Sequence, residues 1–409
     1  MISKIKNQKS KIKLLSAGYL VLVVGLFFYS FTQVDLNLTL SQWSIWQVIQ
    51  KYFQHIGYFQ RSFSTALYVS IVSLLLLFYF LFLHLAKIGK IRGIWGLIIA
   101  TTIILTFSYN AFSYDLFNYI FDAKIITFYH QNPYLHKALD YPNDPMLSFM
   151  HSTHRPYPYG PIWLLLTAPL SSFVNFFLPT FFIFKTLVAL SFLGTAFFIS
   201  KILNKVSPHN EVFGLVFFAL NPLVIVESLV SAHNDIVMMF FAVLGLYLLV
   251  KKIYAFSFLC LFLSIGIKFS TVFLLPVFIY IAIKQVRKQS IDFKKVFAII
   301  FILMTTAVFI TSFSSGINKN PELQPWYFLI LFPFAALVAQ KRIIVLLAIC
   351  VSIAMLVSYV PFLLLGEWPK DIADLKIKLL AFSIAIGVVI YILSSKRLLS
   401  TVKHLFSST

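Results

Sequence analysis

The sequence predicts an all-α polytopic membrane protein, a bundle of about 12 transmembrane helices (range 11–13) with a long external loop carrying short surface helices. Three observations predict it. The 409 residues are 60% hydrophobic and only 11% charged, with a mean hydropathy of +0.90. Apolar runs of about 20 residues recur along the chain, the length that crosses a bilayer as a helix. These runs are unbroken rather than alternating, which argues against a β-barrel. No polar stretch reaches the size of a soluble domain, so 1–409 reads as one integral membrane domain.

The spans read in order at about 14–32, 62–86, 93–112, 181–200, 211–230, 235–250, 254–267, 270–284, 295–313, 325–340, 343–362 and 377–395. The start carries five lysines before its first apolar run, a flank that keeps an N-terminus in the cytoplasm. No small-residue cleavage site follows, so the first span is expected to be retained. Segment 161–179 is apolar but interrupted by Pro161, Pro169 and Pro179. Counted as a full span, it would place Lys251, Lys252, Lys284, Arg287, Lys288, Lys294 and Lys295 outside. Counted as re-entrant or interfacial, it keeps them all inside, as the positive-inside rule prefers. Both termini are then cytoplasmic, and the plasma membrane is the expected location.

The net charge of +20 tempts a nucleic-acid reading, but its distribution argues otherwise. On this threading 22 of the 33 Lys and Arg fall in cytoplasmic segments, against two of the 13 acids, Glu211 and Asp292. The excess is topology and implies no nucleic-acid partner. The acids collect outside, so function is sought there. Cys260 and Cys350 lie in apolar spans and suggest neither a disulfide nor a metal site.

The external loop 113–160 is the most informative stretch. Long loops in membrane proteins generally carry function, and one this rich in acids and aromatics suggests chemistry on a lipid-linked substrate. Asp115, Tyr119 and Asp122 are spaced to share one helix face. That helix is expected to run to the stop signal Asn132-Pro133. It would present two carboxylates to a cleft, or else a plain solvated face. Tyr157-Pro158-Tyr159-Gly160-Pro161 is a stiff aromatic turn, serving as an interface belt or as a wall for a sugar ring.

Ser231-Ala232-His233-Asn234-Asp235 sets adjacent polar groups between apolar spans, which is expensive unless used. Asn234 or Asp235 could cap a helix, but capping does not explain His233. Glu227, one turn earlier, orients this group or is simply a buried, bonded acid. Lys268 sits at the tip of a short helical hairpin entering from the cytoplasm, snorkelling or meeting a phosphate. Arg155 and His154 are further candidate cations on the loop. Lys185 has no polar neighbours in sequence and reads as a snorkelling lysine. Gln324-Pro325-Trp326-Tyr327 opens another span, as an aromatic anchor or as a lid. No Gly-rich phosphate loop, His-Glu-x-x-His or Cys/His cluster is present, so nucleotide- or zinc-dependent chemistry has no support.

Together these residues resemble the GT-C glycosyltransferases, most closely the bacterial polyprenyl-phosphate-mannose-dependent (α-1,6-)mannosyltransferases. The matching elements are Asp115-Leu116-Phe117-Asn118-Tyr119, Asn132-Pro133-Tyr134, Pro158-Tyr159-Gly160-Pro161, His233-Asn234-Asp235 and Gln324-Pro325-Trp326-Tyr327, covering roughly residues 60 to 395. The resemblance departs where Phe269 follows Lys268 in place of the family's proline. No large C-terminal soluble domain is visible, so acceptor binding is expected to use the membrane module itself.

The resemblance implies a GT-C-like bundle moving a hexose, mannose first, from a polyprenyl-phosphate sugar to a glycan or glycolipid acceptor. Transfer would occur on the extracytoplasmic side with inversion. Asp115 is then the expected general base. Lys268, Arg155 and His233 are the expected donor-phosphate ligands. Tyr119, Asp122, Tyr159, Asn234, Asp235, Gln324, Trp326 and Tyr327 are expected around sugar and acceptor. No cofactor is required; paired carboxylates leave room for a divalent metal that no motif supports. The competing class is a secondary transporter or lipid-glycan flippase, because short helices around polar residues are also its signature.

Overall fold

In lipid a backbone can satisfy its own polar groups only as helix or closed barrel, and this chain takes the first course. The structure, a computed structural model, describes residues 2–91, 93–173, 176–314 and 323–406. It is 77% helical, and no strand occurs among the described residues beyond an isolated bridge between Lys137 and Pro156. Arg92, one of the charges assigned to the cytoplasmic side, and positions 174–175 of segment 161–179 lie outside the described residues.

The chain opens with α1 (Ile2–Ser30), α2 (Ser44–Phe59), α3 (Arg61–Lys87) and α4 (Trp95–Thr106). The expected span 93–112 is therefore helical only over its middle, and 107–114 is irregular. Hydropathy assigns no span to 33–61, and α2 fills most of that stretch with reversed polarity. Gln50 and Gln54 turn inward and donate to the carbonyls of Leu38, Val34 and Asp35, while Trp43, Val48, Tyr52 and Phe59 are exposed. An outward apolar face beside two membrane-crossing helices is the pattern of an interfacial helix.

The external loop carries α5 (Asp115–Thr127) and two 3₁₀ turns, Ala138–Asp140 and Pro145–Ser148. α5 stops at Thr127, short of the Asn132-Pro133 signal, because Phe128, Tyr129 and Gln131 bond back to its last carbonyls. Asp144 then clamps the loop to the helix: it pairs with Lys124 and accepts from Tyr129 Oη at 2.6 Å and Met146 N at 2.9 Å. Segment 161–179 breaks into α6 (Pro161–Thr167) and a 3₁₀ turn, Pro169–Phe173, before α7 (Phe177–Val206) begins. Pro161 at the first helical position and Pro169 two residues past Thr167 mark the two ends of α6.

The core lies in α8 (Glu211–Ala219), α9 (Pro222–Ile225) and the turn leading to the next helix: 214–239 is buried without a break. The expected single span 211–230 bends by 55° here. Asn221 and Pro222 cause the bend. The Asn221 carboxamide oxygen accepts from Leu223 N and Val224 N and restarts the helix, while its amide donates to Ser352 Oγ. A π-helical turn, Val226–Val230, then carries Glu227 inward. Ala232 has a left-handed backbone (φ 58°). Wide turns and strained φ values in one buried segment are features that gather at functional sites.

Beyond lie α10 (Asp235–Val250), α11 (Tyr254–Ile265), a 3₁₀ turn at Phe269–Leu274 and α12 (Leu275–Val286). α13 (Phe293–Ser314) precedes a 3₁₀ turn at Pro325–Ile330. α14 (Phe332–Leu337), α15 (Arg342–Val357), α16 (Val360–Leu365) and α17 (Ile372–Phe406) complete the chain. Among the described residues seven helices are long and apolar enough to cross a membrane, eight if the bent pair is one span, and five shorter apolar helices accompany them. The polytopic membrane protein expected from hydropathy is thus observed, with more broken helices than the expected set of about 12 spans.

Candidate active site

Asp115 is the first residue of α5, where the helix dipole favours a carboxylate. Its side chain is 18% exposed, and its N–H is tied to Ser113 Oγ at 3.1 Å. Two cations face it. Arg155 Nη2 lies 3.7 Å from Oδ1, and His233 Nδ1 lies 3.5 Å from Oδ2. The His233 ring is fully buried, with Nε2 3.3 Å from Glu227 Oε2 on the other side. Trp326 stacks on it at 4.2 Å and 18°. Glu227 in turn accepts from Tyr359 Oη at 2.8 Å. An acid, an imidazole and a second acid therefore run in line from the cleft into the core. Glu227 and Tyr359 are the members that sequence reasoning left open or missed.

The electrostatics follow from this line. Burial pushes the Asp115 carboxyl up, but the His233 contact, reinforced by Arg155 and Lys268, overcomes it and leaves the group below its ordinary value. Burial pushes His233 down, yet Asp115 and Glu227 raise it to about 9. The site therefore holds a carboxylate and an imidazolium at neutral pH. Asp122, two turns along the same face of α5, is raised to about 7 by burial and by Asp115, with Arg155 opposing.

A second group of residues is held by two glycines. Gly160 N donates to Ile267 O at 3.0 Å and Ile162 N donates to Gly266 O at 2.9 Å. These bonds need the backbones to touch: a Cβ on Gly160 would sit 2.2 Å from Gly266 O. The Tyr159 turn and the α11–α12 hairpin are thereby sewn together, and Lys268 is brought to the site. Its Nζ bonds Asp235 Oδ2 at 2.6 Å and lies 5.3 Å from the centre of the Tyr159 ring. Tyr159 meets Tyr119 edge-on at 5.3 Å, and Tyr119 Oη donates to Asn234 Oδ1 at 3.3 Å.

The structure thus brings Asp115, Arg155, His233, Lys268, Tyr119, Tyr159, Asn234, Asp235 and Trp326 into one connected neighbourhood, with Asp122 coupled electrostatically through Arg155. Gln324 instead accepts from Lys376 Nζ at 2.7 Å, and Tyr327 packs edge-on against Trp326 at 5.9 Å. His154 is exposed on the loop, with no ion pair to Asp115. Asn234 occupies the N-cap position of α10, as one alternative expected, but its side chain makes no capping bond, and Asp235 is the first helical residue. Lys185 is a correction: it does not snorkel. Its Nζ is buried and donates to Ser108 O and Ser108 Oγ at 2.9 Å and to Val230 O at 3.2 Å, tying α7 to the end of the π-turn.

Three buried polar atoms around this centre find no hydrogen-bond partner among the described residues: Asn234 Nδ2, Asp235 Oδ1 and Ser231 Oγ. Such atoms are rare in folded proteins, and their concentration marks a place built for a polar ligand. Among the described residues no three His, Cys, Asp or Glu side chains converge as a metal-holding group.

Comparison with known proteins gives the same direction. No curated protein and no solved structure matches the chain. The sequence signature described as Alpha-(1->6)-mannopyranosyltransferase, N-terminal domain, matches residues 16–284. That stretch holds Asp115, Arg155, Glu227, His233, Asp235 and Lys268; Trp326 lies beyond it. The match covers about two-thirds of the 409 residues, and the chain therefore belongs to the alpha-(1->6)-mannopyranosyltransferase family of membrane mannosyltransferases.

Proposed function

We propose that this enzyme transfers mannose from a polyprenyl-phosphate donor to a glycan or glycolipid acceptor at the extracytoplasmic face, inverting the anomeric centre. The observation that carries this reading is Asp115, a partly exposed carboxylate kept ionised beside Arg155 and His233 with Lys268 close by. In the reaction an acceptor hydroxyl attacks C1 of mannose as its proton passes to a carboxylate oxygen of Asp115. The C1–O bond to phosphate breaks, and its electron pair leaves with the polyprenyl phosphate. A carboxylate below the ordinary Asp range is a weak base, but it suffices where the proton moves late, after C1 has become cationic. The leaving phosphate needs positive charge rather than an acid, and His233, Arg155 and Lys268 supply it. No step requires a metal.

The lipid part of the donor has a matching feature. An apolar cavity of about 400 Å³ opens between α13, α14, α15 and α17. Leu323 and Phe328, which line it, flank Trp326, the ring stacked on His233. A polyprenyl tail seated there would bring its phosphate towards the cations. Tyr159, Tyr119, Asn234, Asp235 and Asp122 would then surround the transferred sugar.

The test is transfer by the purified protein in detergent. It uses radiolabelled polyprenyl-phosphate-mannose, a panel of mannosides and lipid-linked acceptors, and EDTA in a parallel set. Label should move to an acceptor with or without EDTA, and Asp115→Asn should lose at least about a hundredfold in rate. Normal transfer by the Asn variant would remove Asp115 as base. Transfer only from another polyprenyl-phospho-sugar would remove the mannose assignment, and loss in EDTA would remove the metal-free scheme.

A further inference from the structure

Next to Asp115 in sequence lies a second polar-aromatic cluster that none of the groups above uses. It is assembled from three distant segments: Asp35 after α1, Tyr58 on α2, and Tyr114 with His151 on the external loop. Tyr114 and His151 stack at 3.7 Å between centroids and 18° between planes, and Tyr114 rests on Phe117 beneath. His151 is exposed, so the outer face of its ring is free to receive a ligand. Asn37 Nδ2 donates to Ser148 O at 2.9 Å and fixes the Asp35 segment against the loop.

The charges here differ from those around His233. None of the ion pairs among the described residues involves Asp35. Its Oδ1 accepts from Asn37 N at 2.9 Å. Its charge also bears on both phenols: Tyr58 is raised to about 12, first by burial and then by Asp35, and Tyr114 is raised by burial, then by Tyr58 and by Asp35, with both of which its hydroxyl hydrogen-bonds. His151 is pushed below its ordinary value by burial, so its ring is neutral at pH 7. A neutral aromatic stack rimmed by phenols and one carboxylate outside any ion pair repels a phosphate. It suits a neutral polyhydroxylated ring, which can lay its C–H face on the imidazole and donate hydroxyls to Asp35. The placement fits as well. Tyr114 precedes Asp115 directly, and the short segment from His151 to Arg155 touches both residues.

We infer that Asp35, Tyr58, Tyr114 and His151 form a subsite for the acceptor glycan, holding a neutral mannoside so that its hydroxyl reaches Asp115. This inference rests on the proposed role of Asp115.

The experiment measures binding of α-1,6-linked mannotriose to the full-length protein in detergent by saturation-transfer NMR, alongside steady-state transfer. Asp35→Asn and Tyr114→Leu should weaken mannotriose binding and raise the acceptor KM by roughly tenfold, about 1.4 kcal/mol, with the donor KM unchanged. Tyr114→Phe, which keeps the ring but loses the hydroxyl bonded to Asp35 and Tyr58, should still bind mannotriose clearly better than Tyr114→Leu. A cluster that only packs would accept Leu and Phe alike, so equal binding by both variants overturns the subsite. A rise in donor KM alone, or no mannotriose binding to the unmutated protein at millimolar concentration, also overturns it. Asp115→Asn should bind mannotriose normally; transfer surviving in that variant would refute the base and leave the binding comparison standing.

Discussion

Glu227→Gln tests the electrical logic of the site without touching a group that meets the substrate. His233 sits between two carboxylates that together outweigh its burial and lift it from 6.5 to about 9, a net rise of about 2.5. The pair must supply more than that net rise, because burial pulls the other way. If the two share it evenly, removing one charge lowers His233 by at least about 1.25, worth roughly 1.7 kcal/mol. The imidazolium would then titrate below about 8. On the proposed mechanism the charged ring stabilises the departing phosphate, so activity should fall as pH passes its pKa. The unmutated enzyme should show an alkaline limb near 9. The Gln variant should match it closely at pH 7 and fall about fivefold below it at pH 8.5. The assay is kcat/KM against pH in one detergent, normalised at pH 6.5. The same shift carries a stability signature. A His raised on folding contributes stability that is fully present below about 6.5 and is lost as pH rises through about 9. Its size is on the order of 3 kcal/mol. An alkaline limb that stays near 9 in Glu227→Gln would refute the claim that Glu227 holds His233 charged.

Three other substitutions test the packing. Gly160→Ala drives a Cβ against the Gly266 carbonyl, neither of which can yield, so it should cost roughly 1–3 kcal/mol and raise the donor KM by displacing Lys268. An unchanged thermal midpoint and KM would show that the two loops are not sewn together. Asp235→Asn leaves Lys268 largely buried beside a neutral amide, a loss of up to about 3 kcal/mol. Lys268→Met/Asp235→Asn should recover most of that stability without recovering transfer, and full transfer by the double variant would exclude Lys268 from the phosphate. Lys185→Met strands two carbonyls and a hydroxyl and should lower stability in detergent by about 1–2 kcal/mol. A snorkelling lysine would show no loss.

What the sequence disclosed followed from cost. Lipid makes every polar group conspicuous, so Asp115, His233, Asn234 and Asp235 stood out against their surroundings, and they meet at one centre. What it hid was partnership over distance. Lys185 looked isolated because its acceptors are a serine on the far end of α4 and a carbonyl on the π-turn. Tyr359 lies 132 residues from Glu227, and nothing local announces that bond. Gly160 and Gly266 are ordinary loop glycines until the two loops touch. α2 escaped because its polarity is reversed: glutamines inside, tryptophan and valine outside. A hydropathy average sees only a middling stretch, and Gln50 and Gln54 point inward because the backbone of 34–40 needs donors. The bend within 211–230 was unreadable for a related reason. Asn221-Pro222 is a mild signal in sequence, and it bends the chain by 55° only because Ser352 and the restarted helix satisfy the freed groups.

The arrangement also answers why a depressed base is no handicap. On the proposed reaction the donor phosphodiester carries one negative charge, and the departing phosphate gains a second as the C1–O bond breaks. In the resting site Arg155 and His233 already face the Asp115 carboxylate. When Asp115 takes the acceptor proton it becomes neutral, and both cations lose that partner as the phosphate gains charge. Proton transfer thereby hands positive charge from the base to the leaving group, an interaction stronger in the transition state than before it. Asp115→Asn imitates the protonated acid permanently. It should therefore bind polyprenyl phosphate more tightly than the unmutated enzyme, by about tenfold for one removed carboxylate at this distance, while transferring almost nothing. Binding measured by titration with a short-chain polyprenyl phosphate decides it. Equal or weaker affinity in the Asn variant would mean that Arg155 and His233 serve Asp115 alone, and that the phosphate leaves without them.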